Sequence, residues 1–184
     1  MKYKAQNFDH LFGLKGFSDR LLKAHFALYQ GYVANTNKLC EAPASESPEA
    51  KRRFGWEFNG MRLHDLYFGN MAKKGPQDKG KNLSEKLSKD FGSQQDWEDG
   101  FKSIAKLRGV GWVLLSYDPA GDRLFNIWVN EHDGGNLAGC APLLVLDVFE
   151  HAYLTYYGLK REEYVEAFFK AFDWGAVSKR FKAA

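Results

Sequence analysis

The side chains best suited to hold a metal or to move a proton near neutral pH are the histidines, and the chain has only five: His10, His25, His64, His132 and His151. Four of them fall among apolar or aromatic neighbours, where a lone imidazole is either a hydrogen-bonded core group or a ligand. His25 shares an apolar stripe with Leu21, Leu22 and Leu28. His64 stands in Arg62-Leu63-His64-Asp65-Leu66-Tyr67-Phe68, and Asp147 precedes His151 by four residues, a spacing that puts both side chains on one face of a helical turn. Three imidazoles and one carboxylate complete a mononuclear metal shell that leaves one position for solvent. Spacing alone leaves the alternatives open, since Asp147 also suits a helix N-cap.

Two long helices must bring the first two histidines together. After the capping residue Ser18, the apolar positions Leu21, Leu22, His25, Leu28, Tyr29, Tyr32 and Val33 step by three and four, which predicts a helix to about Leu39. Pro43 and Pro48 break it, and a second helix from about Glu49 to Asn70 returns antiparallel to the first. The polar, glycine-containing stretch Lys73–Lys81 reads as a linker, dividing a helical hairpin domain, 1–76, from an α/β domain, 77–184. Beyond it, Leu83–Phe91 and Gln94–Leu107 read as helices. Trp112–Tyr117 and Arg123–Val129 read as strands around a tight turn, and Leu143–Leu146 as a third strand. From Phe149 the chain is expected to be helical again, with helices over Arg161–Phe172 and Gly175–Phe181. The class is α+β: a helical hairpin followed by a lobe with a three-stranded antiparallel sheet and surrounding helices.

Composition narrows the function. The 184 residues are 45% hydrophobic and 27% charged, enough for a packed core, and the net charge of +3 is too balanced for a nucleic-acid-coating protein while suiting a small anionic partner. No apolar run approaches the roughly 20 residues that span a bilayer. Cys40 and Cys140 make no disulfide framework, and no apolar block follows the basic residues of the first seven. The expected location is cytoplasmic, with neither membrane nor nucleic acid as a partner.

Asp147-Val148-Phe149-Glu150-His151-Ala152-Tyr153 resembles the D-x-[W/F]-E-H-A-Y signature of the iron/manganese superoxide dismutases. The resemblance covers nearly the whole chain. His25 followed by Gly31-Tyr32-Val33-Ala34-Asn35 is similar to the family's first helix, and Phe58-Asn59-Gly60 with His64 to its second. Gly111-Trp112 is similar to the start of its first strand, and Phe168-Phe169 to Asp173-Trp174 to its closing helix. It implies His25, His64, Asp147 and His151 as ligands of one iron or manganese ion per subunit, lying between hairpin and sheet, with iron favoured. The ion would cycle between trivalent and divalent states, disproportionating superoxide to dioxygen and hydrogen peroxide. Tyr32 would be the gate residue at the substrate entrance, and Trp112 would line the site.

The glutamine that usually contacts the bound solvent is absent from both of its family positions: Gly60 holds the early one and His132 the late one. His132 is therefore the candidate donor to that solvent, the alternative being a histidine exposed on the loop 130–134. The resemblance further implies that Glu150 bonds across a homodimer, with a tetramer possible, and that Arg161 helps steer superoxide, the alternative being a solvated surface charge. Two departures stand out. His25 and Tyr32 are seven residues apart where the family usually has eight, which predicts either a regularised helical turn or a displaced first ligand. The histidine usual between them is missing, Leu28 and Tyr29 standing there instead, and Leu154 replaces the tyrosine that would reach it across the dimer. Losing both partners strands no buried donor, so the change bears on proton delivery and rate more than on metal binding. Two rival readings use the same ligands: a zinc hydrolase, and a metalloprotein that keeps the ion for stability or redox sensing.

Overall fold

A computed structural model describes residues 2–41, 47–75 and 78–184. Ser18 caps the first helix, its hydroxyl accepting the Leu21 N–H at 3.2 Å, and α1 (Asp19–Cys40) runs α-helical throughout. The shortened spacing is thus absorbed by a regular helix, with His25 still directed inward at 2% exposure. Helix α2 (Pro48–Phe68) begins on Pro48 rather than after it. Proline's fixed φ and missing N–H suit the first helical position, and Ser47 supplies the cap to Ala50. Helix α2 ends two residues before Asn70. Pro43, and the division of the chain between 76 and 77, lie outside the described residues.

Helices α3 (Lys81–Phe91) and α4 (Gln94–Ala105) lead into strands β1 (Gly111–Asp118), β2 (Arg123–Asn130) and β3 (Ala141–Asp147). The sheet order is β2-β1-β3, all antiparallel. β1 is the central strand, which explains its unbroken apolar run: Trp112 to Leu115 are at most 1% exposed. Burying each such side chain contributes roughly 1.5–3 kcal/mol. Gly111 opens β1 at φ +154°, where a Cβ would lie 2.1 Å from the Val129 carbonyl, so only glycine fits. Register then sets Trp112 opposite Asp147.

The segment from Phe149, expected to be helical, is so only in short pieces before the two helices expected after it. A 3-10 turn (Glu150–Ala152) and the single-turn α5 (Leu154–Tyr157) precede α6 (Arg161–Ala171) and α7 (Trp174–Ala183). Asp147 is the last residue of a strand, and its Oδ1 accepts the Phe149 N–H at 2.8 Å as the chain turns. The four-residue spacing to His151 therefore works through this turn and not through one helix face.

Helix α2 packs against β3 and so joins the hairpin to the sheet. Arg180 on α7 fastens that junction. Its Nη1 donates to the Asn70 side-chain oxygen and, at 2.8 Å, to the Leu143 carbonyl, while its Nη2 donates to the Leu66 carbonyl at 3.1 Å. Asn70 in turn donates to the Val145 carbonyl at 2.5 Å.

Candidate metal centre

His25 from α1, His64 from α2, Asp147 from the end of β3 and His151 from the 3-10 turn converge. Their four donor atoms lie within 4.8 Å of one another. The Nε2 atoms of His25 and His151 are each 3.1 Å from Asp147 Oδ2, and that of His64 is 3.6 Å away. The His25 ring stands nearly perpendicular to that of His64, centroids 5.0 Å apart, whereas the His64 and His151 rings are stacked at 5.7 Å.

Hydrogen bonding fixes the state of His64. Its Nδ1 is 2.6 Å from the Gly60 carbonyl, which only accepts, so Nδ1 carries the proton and Nε2 is a bare lone pair. That Nε2 is buried with no hydrogen-bond partner. A fully buried nitrogen lone pair beside a carboxylate costs free energy unless a cation takes it, and one carboxylate with three imidazoles suits iron or manganese. The residues present therefore fit the ion that the sequence implied. Burial lowers the pKa of His25, with Asp147 partly offsetting it, and lowers His64 well below the usual value, the neighbouring His25 adding to the effect. Burial works to raise Asp147, yet His151 and His25 hold it well below the usual carboxylate range. All three are thus in their metal-binding forms at neutral pH.

Beside the cluster runs a second chain of contacts. Trp112 Nε1 donates to His132 Nδ1 at 3.1 Å, so the single proton of neutral His132 sits on Nε2, which donates to the Tyr32 oxygen at 2.7 Å. His132 is fully buried, not exposed on its loop, and its proton points at Tyr32. Burial lowers its pKa to about 4 and raises that of Tyr32 to about 12, so both are neutral at pH 7. Because Tyr32 accepts from His132, its own hydroxyl hydrogen is free to serve the site. Phe149 stacks on both His132 and His151, at 4.7 and 5.0 Å.

Gly60 earns its place sterically: a Cβ there would lie 2.5 Å from Cδ1 of Tyr32, whose ring also stacks on His64 at 5.2 Å. Gly60→Ala is expected to push Tyr32 off His132 and to cost about 1–3 kcal/mol by overpacking. A fall in the denaturation midpoint together with a changed Tyr32 environment in NMR checks this, and an unchanged midpoint contradicts it.

Arg161 is not a freely solvated charge. It is half-buried, donates from Nη1 to the Gly109 carbonyl at 3.0 Å, and lies over the rings of Trp128 and Tyr153. Glu150 is exposed next to His151. Sequence reasoning passed over Glu57, which is 4% exposed, receives Arg53 Nε at 2.9 Å and Asn35 Nδ2 at 3.2 Å, and acts electrostatically on Tyr32 and His132. The Arg53/Glu57 pairing at i, i+4 was a visible signal, but the same pattern marks solvated helix faces. Trp56, with its ring 4.8 Å from that of His132, was missed as well.

Residues 78–180 match the family described as iron/manganese superoxide dismutases, C-terminal domain. A manganese superoxide dismutase of Haloferax volcanii is 37% identical over 168 residues, covering 87% of this chain and 84% of the relative. Iron superoxide dismutases of Aquifex aeolicus (35% identical; 99% and 93% covered) and Cupriavidus metallidurans (35%; 93% and 91%) are similar over nearly their full lengths. Matched through its sheet-bearing half by the family description and through both halves by these relatives, the chain belongs to the iron/manganese superoxide dismutases.

Proposed function

We propose that this protein disproportionates superoxide to dioxygen and hydrogen peroxide, with His25, His64, Asp147 and His151 holding one iron or manganese ion. The observation that carries the reading is the convergence of four buried or half-buried donor atoms in which the His64 lone pair has no protein partner. The bound ion supplies a one-electron couple that takes an electron from one superoxide and gives it to the next. Asp147 brings a single negative charge to the cluster and holds Oδ2 among the three Nε2 atoms. Trp112 fixes the tautomer of His132, and His132 fixes the phenol of Tyr32. Tyr32 then holds a proton beside the site for the reduced substrate, which needs two protons to leave as hydrogen peroxide. In this reading the role expected of His132 toward bound solvent is exercised through Tyr32.

Iron is the favoured ion on the histidine at position 132, although relatives named for either metal are equally similar. We further propose a homodimer about the exposed turn bearing Glu150 and His151. Leu28, Val110 and Leu154 keep 36%, 36% and 42% of their surface exposed, apolar area suited to a second copy. In that dimer Leu28 and Leu154 would meet as apolar surface in place of the polar bridge that the family resemblance implied. The field of Arg161 draws superoxide toward the site. Among the described residues no helix is long and apolar enough to cross a membrane. Free Cys40 and Cys140 suit a reducing compartment such as the cytoplasm.

Metal analysis of the purified protein, with superoxide consumption measured on the same sample after loading with iron or manganese, tests the reading. Near-stoichiometric metal with fast turnover is expected. Zinc with no turnover overturns it in favour of a hydrolase, and redox metal without turnover in favour of a sensing or structural role. Tyr32→Phe is expected to keep the metal and lower turnover at saturating superoxide by up to about 10²-fold, the low end for a positioned proton donor. Unchanged turnover across pH 6–9 rules Tyr32 out as that donor.

A further inference from the structure

Tyrosines, not phenylalanines, fill a continuous track from the metal cluster to the surface. The Tyr67 ring lies 5.4 Å from that of His25 and is 1% exposed. Its hydroxyl is 2.9 Å from that of Tyr164, which is fully buried and donates to the Asp147 carbonyl at 2.7 Å. The Tyr164 ring lies 6.0 Å from Tyr157, and Tyr157 lies 4.9 Å from Tyr156, which is 53% exposed. Phenylalanine would fill the interior positions without the cost of burying a hydroxyl, as Phe168 does beside Tyr67. Each interior hydroxyl is hydrogen-bonded, that of Tyr157 to the Gly16 carbonyl at 2.6 Å, and each also brings a redox property: a phenol gives up an electron and a proton far more readily than a benzene ring does.

We propose that Tyr67, Tyr164, Tyr157 and Tyr156 form a relay that carries one-electron oxidising equivalents from the metal centre to the surface. The proposal rests on the metal reading for its starting point and on hydrogen peroxide, the product of the reaction, as oxidant. With divalent iron held by the cluster, peroxide cleaved there would take up two electrons, one supplied by the ion and one through the relay from Tyr156. One proton comes from solvent and one from the Tyr156 phenol. The products are trivalent iron, two waters and a neutral tyrosyl radical at Tyr156. Within the relay, electrons move from Tyr156 toward Tyr67. The Tyr67 proton stays in its 2.9 Å hydrogen bond to the Tyr164 oxygen, which already carries the hydrogen it donates to the Asp147 carbonyl; the interior rings pass only electrons, and Tyr156 alone releases its proton, to solvent. The damage thus leaves the ligand histidines and emerges where cellular reductants reach it.

The test treats iron-loaded protein with hydrogen peroxide in the presence of a nitroso spin trap. Adducts are mapped by peptide mass spectrometry, the free-radical EPR signal is followed after rapid freezing, and superoxide turnover is recorded on each sample. The trap is expected on Tyr156 in the wild type. Its loss is expected in Tyr67→Phe and in Tyr157→Phe, with oxidation of His25, His64 or His151 appearing in its place. Two variants at opposite ends keep the test open if one fails to fold. Equal labelling of Tyr156 in a folded variant, or in metal-free protein, shows attack from bulk solvent and overturns the relay. Active wild-type enzyme without a Tyr156 adduct overturns the relay alone, whereas absent iron binding and turnover overturn the metal reading beneath it.

Discussion

Replacing Asp147 with alanine is expected to strip the protein of its metal and end turnover. The carboxylate is fully buried, and its Oδ2 is the one anionic atom facing three imidazole nitrogens, so its loss leaves the ion's charge uncompensated in a dry site. Breaking a buried charge pair by removing one partner costs about 3–5 kcal/mol, which weakens retention by roughly 10²–10³-fold or more. The turn suffers too, because Oδ1 holds the Phe149 N–H. Asp147→Asn keeps the shape while removing the charge, and separates the two effects. Metal analysis after dialysis against a chelator, with circular dichroism as a folding control, reads the result. Stoichiometric iron or manganese in folded Asp147→Ala would remove this residue from the ligand set.

The metal-free protein is expected to lose stability steeply on mild acidification. His25, His64 and His132 all have pKa values depressed by burial below the 6.5 of an unfolded chain. Below pH 6.5 the unfolded chain therefore binds more protons than the folded one, and stability is full above that pH and falls as pH drops toward the folded values. At 1.36 kcal/mol per unit, His132 alone, shifted from 6.5 to about 4, removes about 2 kcal/mol by pH 5. His25 and His64 add losses of the same sign. Urea midpoints of metal-free protein at pH 7.5 and 5 measure the sum, and His132→Gln removes that residue's share. A midpoint that does not move between those pH values contradicts the buried, neutral assignment. Bound metal holds His25 and His64 deprotonated in the folded state, and both take up protons when the chain unfolds, so the loaded protein keeps their pH dependence together with that of His132.

The elements were legible wherever one period governed a long segment. The stripe from Leu21 to Val33 and the apolar run of β1 each admit one reading, and both helices and all three strands lie where their patterns put them. The stretch from Asp147 to Tyr157 was misread because it follows no period: a strand end, a 3-10 turn and one helical turn share eleven residues, and tertiary contacts hold them. Scarce histidines and an acid four residues before one left a metal cluster and a set of core histidines both open; the resemblance of Asp147–Tyr153 to a family signature chose the four donors, which the structure brings together. Glu57 was not legible, since an Arg/Glu pair on a helix looks the same whether the acid faces water or the active site. The half-burial of Arg161 was not legible either, because it depends on Trp128, Tyr153 and the Gly109 carbonyl, remote segments that no local pattern couples to it.

The Arg180 clamp gives the protein a memory of how it was made. Its bonds to Leu66, Asn70 and Leu143 join the end of α2 to β3 without involving any metal donor. These bonds hold the hairpin to the sheet through groups that are not metal donors, so separating the donors contributed by the two parts requires breaking them as well. Exchange of one ion for another then inherits the steep temperature dependence of unfolding, rising about 3–6-fold per 10 °C. Exchange followed on protein loaded with one ion, in an excess of the other, is then expected to be slow at growth temperature and to quicken on warming, so that metal content would lag behind a change in the iron and manganese available.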